Sequence, residues 1–331
     1  MDRYFIGGSD AAAILGESDW STPLRVYLEK RGEWVANPIE EEKKARIFKR
    51  GKRMEPLIRQ MAEEEWGLDI VRYSTEDKPS RYSIPEYPFL RAEIDFEWRV
   101  TRELALALNL DEDLIGTVQN GEIKSAHPWA AKDKFGDEDT DQLRPEYISQ
   151  ALHGMMVTGA KLCLFAVLIG SDNLVRYVVH RDDFLIETMR EVFIRFWNDH
   201  VLAGIPPEPH TIDDCGILFR RRPASTTEAT EENLALAQTL KDLRYEIMIL
   251  KNEEEQTKLQ ILGNMLGAET VASQTVPPGK HILMAGGAEI LTVAMQSSKR
   301  IDSDKLRKQF PEVAAQCEKV TDSLVMRFPK R

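Results

Sequence analysis

Apolar residues recur at helical spacings in several separate stretches of the chain. In 52–66 they stand three or four residues apart, and the segments 22–31 and 182–203 repeat this pattern. A further helix over about 144–159 is bracketed by a proline that suits its first turn and a glycine that suits its end. These patterns predict four helices in the first two thirds of the chain.

Between the helices, the pattern changes to short runs rich in β-branched and aromatic residues. The runs at 69–74, 89–98 and 115–126 are separated by proline-rich or polar stretches and predict a strand meander. Two more strands, at 161–169 and 174–180, flank a Gly-Ser-Asp-Asn turn. This order predicts an α/β sandwich around one mixed sheet.

The composition changes in the last third of the chain. A Pro/Arg/Ser/Thr segment at 220–228 reads as a linker, and the leucines and isoleucines of 229–262 recur at three-, four- and seven-residue spacings, as in a helical hairpin arm or a coiled coil. We therefore expect one domain over 1–219 and a mainly helical accessory module over 229–331 that serves self-association or partner contact.

Bulk composition narrows the functional class. The chain has 331 residues, of which 42% are hydrophobic, so it can bury a large core. Its three cysteines, Cys163, Cys215 and Cys317, are far apart and form neither a disulfide framework nor a zinc or iron–sulfur motif. We see no signal peptide and no apolar run of about twenty residues, and we expect a protein of the bacterial host cytoplasm without membrane contact.

The net charge of −11 argues at first against a nucleic-acid partner, because phosphate contacts supply most non-specific affinity. Basic residues nevertheless cluster within 43–53 and at 220–222. Either cluster alone is typical of a solvated face. A nuclease also carries carboxylates for its metals, which lowers the total charge without preventing a local basic groove.

The tetrapeptide Gly121-Glu122-Ile123-Lys124 lies within a predicted strand. Because side chains alternate across a strand, Glu122 and Lys124 share one face while Ile123 enters the opposite core. A surface Glu/Lys pair has the same pattern, so this triplet alone is weak evidence.

Asp95 lies on a neighbouring predicted strand, where Glu93 and Glu97 are expected on the same face. Two adjacent strands that both present acids suit a hard divalent cation, which takes oxygen ligands from different elements. Asp95 and Glu122 could coordinate Mg²⁺, with a backbone carbonyl near Ile123 as a further ligand. Lys124 would then stabilise the transition state or orient the attacking water.

Two helices contribute further candidates. Glu55 stands at the start of a predicted helix and could reach a second metal or a metal-bound water, and Tyr147 and Gln150 share a face of a later helix. A glycine turn and a small-residue helix occupy 6–16, where Ser9 or Asp10 could cap the N-terminus and a phosphate could bind.

Over about residues 1–205 the sequence resembles the YqaJ-like viral recombinase family, which includes lambda exonuclease and belongs to the PD-(D/E)XK nucleases. The resemblance rests on five motifs in the family's order: GGSDAAAILG, Gly51 with Glu55-Pro56, Asp95, Glu122-Ile123-Lys124, and Tyr147-x-x-Gln150. It implies a restriction-endonuclease-like fold, Mg²⁺ dependence with Mn²⁺ as a substitute, and 5′→3′ digestion of linear duplex DNA from an end. It also implies a single-strand annealing protein as partner and a homo-oligomeric ring.

The same resemblance implies residue roles. Asp95, Glu122, the Ile123 carbonyl and Glu55 would hold the metal, and Lys124 would be the catalytic lysine. Gln150 and Tyr147 would support the site. A terminal 5′-phosphate would be held by Arg3, Gly8 and Ser9.

One departure from the family stands two residues before Asp95, where members often carry a phosphate-binding serine and this chain has Glu93. Two alternatives to an exonuclease remain open. One is a structure-specific or nicking endonuclease of the same fold. The other is a non-catalytic DNA-binding recombination scaffold.

Overall fold

A computed structural model describes residues 4–35, 38–266, 280–295, 298–318 and 324–327. The chain divides into two compact units, residues 1–222 with 324–331 and residues 223–323. We call them the sheet unit and the C-terminal unit. Across the described residues, no helix is long and apolar enough to cross a membrane.

The sheet unit contains helices and strands in alternation. Its helices are α1 (Gly8–Ile14), α2 (Pro23–Lys30), α3 (Pro38–Trp66), α4 (Arg102–Ala107), α5 (Pro128–Ala131), α6 (Pro145–Thr158), α7 (Asp183–Arg195) and α8 (Ile212–Arg220). Its strands are β1 (Asp69–Tyr73), β2 (Arg81–Ile84), β3 (Tyr87–Glu93), β4 (Phe96–Arg99), β5 (Val118–Ala126), β6 (Leu162–Ile169) and β7 (Asn173–His180).

Five strands form one mixed sheet in the order β1-β4-β5-β6-β7. Only the β5–β6 pair is parallel, and α6 makes the crossover that a parallel pair needs. Strands β2 and β3 form a separate hairpin. The predicted fold class, a mixed sheet flanked by helices, is confirmed.

Alternating side chains of β6 divide the core into two layers. Cys163, Phe165 and Val167 pack with α1, α2, α6 and α7 on one face. Leu164 and Ala166, which alternate with them, pack with α3 and α4 on the other face of the sheet, beside Ile58 and Trp98. Because both faces are covered, β6 is a continuous apolar run.

Three predicted elements differ from the structure. The run 89–98 is two strands, and β3 pairs with β2 outside the main sheet rather than extending it. Helix α3 begins at Pro38 instead of 52, because its charged first half has high helix propensity without an apolar stripe. Beyond Arg195, the predicted helix over 182–203 continues as a π-helix, Phe196–Leu202.

The C-terminal unit contains the long helix α9 (Glu231–Leu266), the hairpin β8 (Lys280–Ala285) and β9 (Ala288–Ala294), and the short helices α10 (Ser303–Gln309) and α11 (Pro311–Cys317). The predicted helical arm is thus one continuous helix within its described residues, and not a hairpin.

Candidate active site

Strand β5 carries the Glu-Ile-Lys triplet between β4 and β6. Glu122 pairs with Phe165 and Lys124 with Val167, so both face the layer formed by α1 and α6. Ile123 packs into the opposite layer. The predicted alternation is present.

Gly121 allows β5 to lie close to its neighbour. A Cβ atom at this position would be 2.2 Å from the ring of Phe96, which is fully buried on β4. Only glycine fits there without displacing the ring. This requirement depends on a contact between strands, so the local sequence did not reveal it.

Glu122 is the hub of a buried polar cluster. Its Oε2 atom accepts from Lys124 Nζ at 2.9 Å and from Gln150 Nε2 at 2.7 Å, and the residue is 5% exposed. Helix α6 therefore brings Gln150 to the acid as the sequence motif requires. These two donors fix the carboxylate in one orientation.

Asp95 lies in the break between β3 and β4. Its Oδ2 atom accepts the backbone N–H of Ile123 at 2.9 Å, which places it directly beside β5. The other two acids of the predicted shared face have separate partners. Glu93 accepts from Ser74 and Arg81 at 2.9 and 3.1 Å, and is therefore not directed at Glu122.

Glu97 does not belong to the site either. It is 9% exposed and accepts a hydrogen bond from the Tyr82 hydroxyl, and Arg72 Nε lies 3.3 Å from its Oε2 atom. The prediction that Glu93, Asp95 and Glu97 fall on one face is wrong for Glu97, because the strand is interrupted at Asp95. Glu93 and Asp95 line one cleft.

Glu55 reaches the site through a lysine that was predicted only as part of a basic cluster. Lys52 Nζ is 3.1 Å from Glu55 Oε2 and 3.9 Å from Asp95 Oδ1. Lys52 and Glu55 stand three residues apart on α3, so they share a face of the helix. That spacing is visible in the sequence, but the approach of α3 to Asp95 is not.

The carboxylates oppose each other's ionisation. Burial, above all, raises the pKa of Glu122 to about 7; Lys124 works against this shift and Asp95 adds to it. Burial and then the Asp95 charge also raise the pKa of Glu55. For Lys124, burial alone would lower the pKa, but Glu122 and Asp95 outweigh burial and raise it above its usual value. The site thus holds excess negative potential in a largely dry environment.

Tyr147 supports the site through its ring. It stacks on Phe135 with centroids 5.4 Å apart, and Lys124 Nζ lies 6.0 Å from its ring centroid. It packs beside the lysine rather than contacting a carboxylate.

The N-terminal segment meets the site at Gly8. A Cβ atom there would lie 3.1 Å from Gln150 Cγ, so α1 packs closely against α6. Ser9 is exposed, and the N-cap residue of α1 is Gly7. Of the two predicted caps, Asp10 contributes through a capping box: its side chain accepts the Gly7 N–H at 2.8 Å, and it also pairs with Lys30 at 2.6 Å. Arg3 lies outside the described residues.

The carboxylate oxygens of the site suit a divalent cation, although Lys52 and Lys124 lie beside them. Across the part of the chain that the structure describes, no group of three or more His, Cys, Asp or Glu side chains is arranged to hold a metal ion. Asp95, Glu122, Glu55 and the Ile123 carbonyl are nevertheless the hard ligands that Mg²⁺ takes. Burial, and to a smaller extent the Asp95 charge, raises the pKa of Glu122, and a bound cation would offset both effects. The donor set therefore fits the ion.

A cleft of about 690 Å³ opens beside Glu55 and Asp95, but Glu122 and Lys124 do not line it. Its walls come from α3, from the segment 73–81 and from the turn that carries Asp95. The lining residues are Phe48, Lys52, Glu55, Pro56, Arg59, Tyr73, Ser74, Thr75, Glu76, Pro79, Arg81, Glu93, Asp95 and Ile123.

Comparison with known proteins shows which domain the first part of the chain resembles. The model of the YqaJ-like viral recombinase domain matches residues 1–161. The uncharacterized protein YqaJ of Bacillus subtilis (strain 168) is 28% identical over 321 residues, which cover 96% of this chain and 89% of that protein.

Two crystal structures are also similar, both of the alkaline exonuclease LHK-Exo from Laribacter hongkongensis. The first shares 17% identity at a TM-score of 0.42, and the second, in complex with dAMP, 18% at 0.43. Each match covers 66% of this chain and 94% of the other. Residues 1–161, just under half of the chain, are thus similar to the YqaJ-like viral recombinase domain.

Proposed function

We propose that this protein is a Mg²⁺-dependent DNA exonuclease of phage or prophage type, which digests linear duplex DNA in the 5′→3′ direction and yields single strands for recombination by annealing. The observation that carries the proposal is the buried Glu122–Lys124 pair on β5 with Asp95 hydrogen-bonded to the same strand. Its occurrence within a YqaJ-like domain supports the assignment.

Asp95, Glu122 and the Ile123 carbonyl would hold Mg²⁺, for which Mn²⁺ would substitute, and Glu55 would assist. When bound, the ion lowers the pKa of a water molecule and neutralises charge on the phosphate.

The protein's own residues supply the remaining functions. Lys124 keeps its charge at neutral pH, because its pKa is raised, and it stabilises the negative charge that develops at the phosphate. Gln150 holds Glu122 in place without adding charge. The ring of Tyr147 packs against one side of Lys124.

Selection of a terminal 5′-phosphate by Arg3, Gly8 and Ser9 is part of the proposal. Ser9 is exposed and follows Gly8, which touches Gln150, so this end of α1 lies next to the polar cluster. Glu93 is compatible with a nearby phosphate, since Arg81 pairs with its charge and Ser74 donates a hydrogen bond to it.

End-labelled linear duplex, with and without a 5′-phosphate, and closed circular DNA test the proposal in Mg²⁺ and in chelator. We expect Mg²⁺-dependent loss of the linear duplex only. Glu122→Gln and Lys124→Ala should each lower the rate by roughly 100-fold or more, because each removes a charge at the reacting phosphate. The matched control is Lys161→Ala, an exposed lysine at the start of β6.

Each alternative has its own result. Cleavage of closed circles would indicate an endonuclease. Binding of DNA without digestion would indicate a scaffold. Full activity in both site variants, with wild-type thermal unfolding, would overturn the assignment of the site.

We also propose that the protein forms homo-oligomers through α9. Five apolar residues follow the four- and three-residue spacings of a coiled-coil seam: Leu236, Leu240, Leu243, Ile247 and Leu250. Each is at least partly exposed, so α9 presents an apolar seam without an intramolecular partner among the described residues.

The charges beside this seam favour a parallel pair of identical helices. Glu246 and Lys251 stand five residues apart at positions that flank the seam. In a parallel pair, Glu246 of one copy meets Lys251 of the partner subunit. An antiparallel pair would bring like charges together. The same proposal includes further assembly of the copies into a ring and an annealing protein as partner.

A further inference from the structure

The cleft beside Asp95 contains an aromatic residue that the chemistry proposed above does not use. Tyr73 is the last residue of β1 and lies opposite Phe96 of β4. The following N–H, that of Ser74, donates to the carbonyl of Asp95 at 2.8 Å. Because adjacent strands are about 4.8 Å apart, Tyr73 lies one strand away from the catalytic acid.

The ring of Tyr73 is held in place by one side chain. The guanidinium carbon of Arg59 is 3.9 Å from the ring centroid, and Arg59 in turn pairs with Glu63 at 3.3 Å. Arg59 stands one turn after Glu55 on α3, so the same helix face supplies the auxiliary acid and the support for the ring.

The ring of Tyr73 stays accessible at the cleft. Tyr73 is 47% exposed although Arg59 covers one of its faces, and it is among the residues that line the cleft. A rigid aromatic ring with one covered and one open face is a stacking platform for a planar ligand. Arg81 and Lys52 line the same cleft, where they pair with Glu93 and Glu55 and offset part of the negative charge of its acids.

We propose that Tyr73, supported by Arg59, stacks an unpaired nucleobase of the DNA strand that enters the active site. This inference rests on the proposed nuclease function and adds a substrate contact to it. The ligand is a single-stranded stretch of DNA whose phosphates run past Arg81 and Lys52 toward Asp95. Stacking on an aromatic side chain holds a base regardless of its identity, as a processive nuclease requires. Tyr73 is accordingly a positioning residue.

The test is direct binding, measured without cleavage in a Glu122→Gln background. A single-stranded oligonucleotide with 2-aminopurine near its 5′ end reports stacking as fluorescence quenching. We expect Tyr73→Ala to weaken binding by roughly 5- to 150-fold and to remove the quenching. Tyr73→Phe keeps the ring and should retain both. Tyr245→Ala, at an exposed tyrosine of α9, is the matched control and should bind normally.

Equal affinity and quenching in Tyr73→Ala and Tyr73→Phe would overturn the platform, as would equal loss in both variants with wild-type thermal unfolding. Failure of the nuclease proposal looks different. It appears as absent Mg²⁺-dependent digestion by the wild-type chain, whatever the fluorescence of the variants shows.

Discussion

Strand β6 and helix α9 are both rich in leucine, isoleucine and other apolar residues, but the chain covers only one of them. Seven of the eight residues of β6 are buried, between helices on both faces of the sheet. Within the described residues, none of the 36 residues of α9 is buried. Leu243 and Ile247 of its seam are 49% and 51% exposed.

The difference indicates where each region obtains its stability. The sheet unit gains it from burial within one chain, at about 25 cal/mol for each Å² of apolar surface. A helix in water gains little from propensity alone, and an exposed apolar seam of this length is typical of an interaction surface. We infer that the site is built by the single chain, whereas α9 is completed by a second copy.

Replacing one glycine in each region by alanine should change the free energy of unfolding in opposite directions, and this is the largest effect that we expect. At Gly121 an added Cβ would be 2.2 Å from the buried ring of Phe96, whereas at Gly263 of α9 nothing lies within 4 Å. Gly121→Ala should lower the free energy of unfolding by roughly 3 kcal/mol. Gly263→Ala should raise it by roughly 1 kcal/mol, because alanine favours the helix.

Thermal unfolding of the full chain, followed by circular dichroism, measures both changes. Nuclease activity should fall with Gly121→Ala, since β5 carries the site, and should persist with Gly263→Ala. An unchanged unfolding temperature for Gly121→Ala would contradict the close approach of β4 and β5.

A charge introduced into the seam of α9 should have the next largest effect. It should change the mass of the protein assembly in solution and leave the fold of the chain intact. Leu243→Asp places a carboxylate in the proposed interface, so the protein should change from an oligomer to a monomer. Met248→Asp is the matched control, because Met248 is 57% exposed on the same helix but outside the seam. Sedimentation equilibrium gives the mass of each variant. A monomeric wild type, or an unchanged mass for Leu243→Asp, would remove the case for self-association.

The sequence predicted best the features that repeat over a few residues. The shared face of Glu122 and Lys124 follows from the period of a strand, and the continuous apolar run of β6 follows from burial on both faces. Gln150 was identified through the family motif, and the structure places its amide on Glu122. Local periodicity and ordered motifs thus led to the centre of the site.

Contacts between distant segments could not be predicted in this way. Lys52 joins the site because α3 approaches Asp95, 43 positions later in the chain, and Tyr73 faces the cleft because β1 pairs with β4. The short strand β2 carries too few apolar residues for a recognisable strand pattern. The positions of Lys52 and Tyr73 depend on tertiary packing, which the local pattern does not encode.

The smallest expected effect concerns a buried histidine of the sheet unit. His153 on α6 is fully buried, its Nε2 atom lies 2.9 Å from the Arg91 carbonyl, and its Nδ1 atom has no hydrogen-bond partner among the described residues. Burial lowers the pKa of His153; the Arg91 carbonyl and the nearby Asp10 oppose this shift, and Lys30 adds to it.

Because the folded state resists protonation, the unfolded state binds the extra proton first as the pH falls below about 6.5. The contribution of His153 to stability is therefore present at neutral pH and is lost progressively in acid. His153→Gln can still donate to the Arg91 carbonyl but does not titrate, so the stability gap between wild type and variant should narrow from about pH 7.5 to about pH 5. Urea unfolding of the sheet unit at several pH values measures this gap. His281→Gln, at an exposed histidine of β8, is the control and should leave the acid sensitivity of wild type in place. A gap that stays constant across the range would show that His153 titrates alike in the folded and unfolded chain.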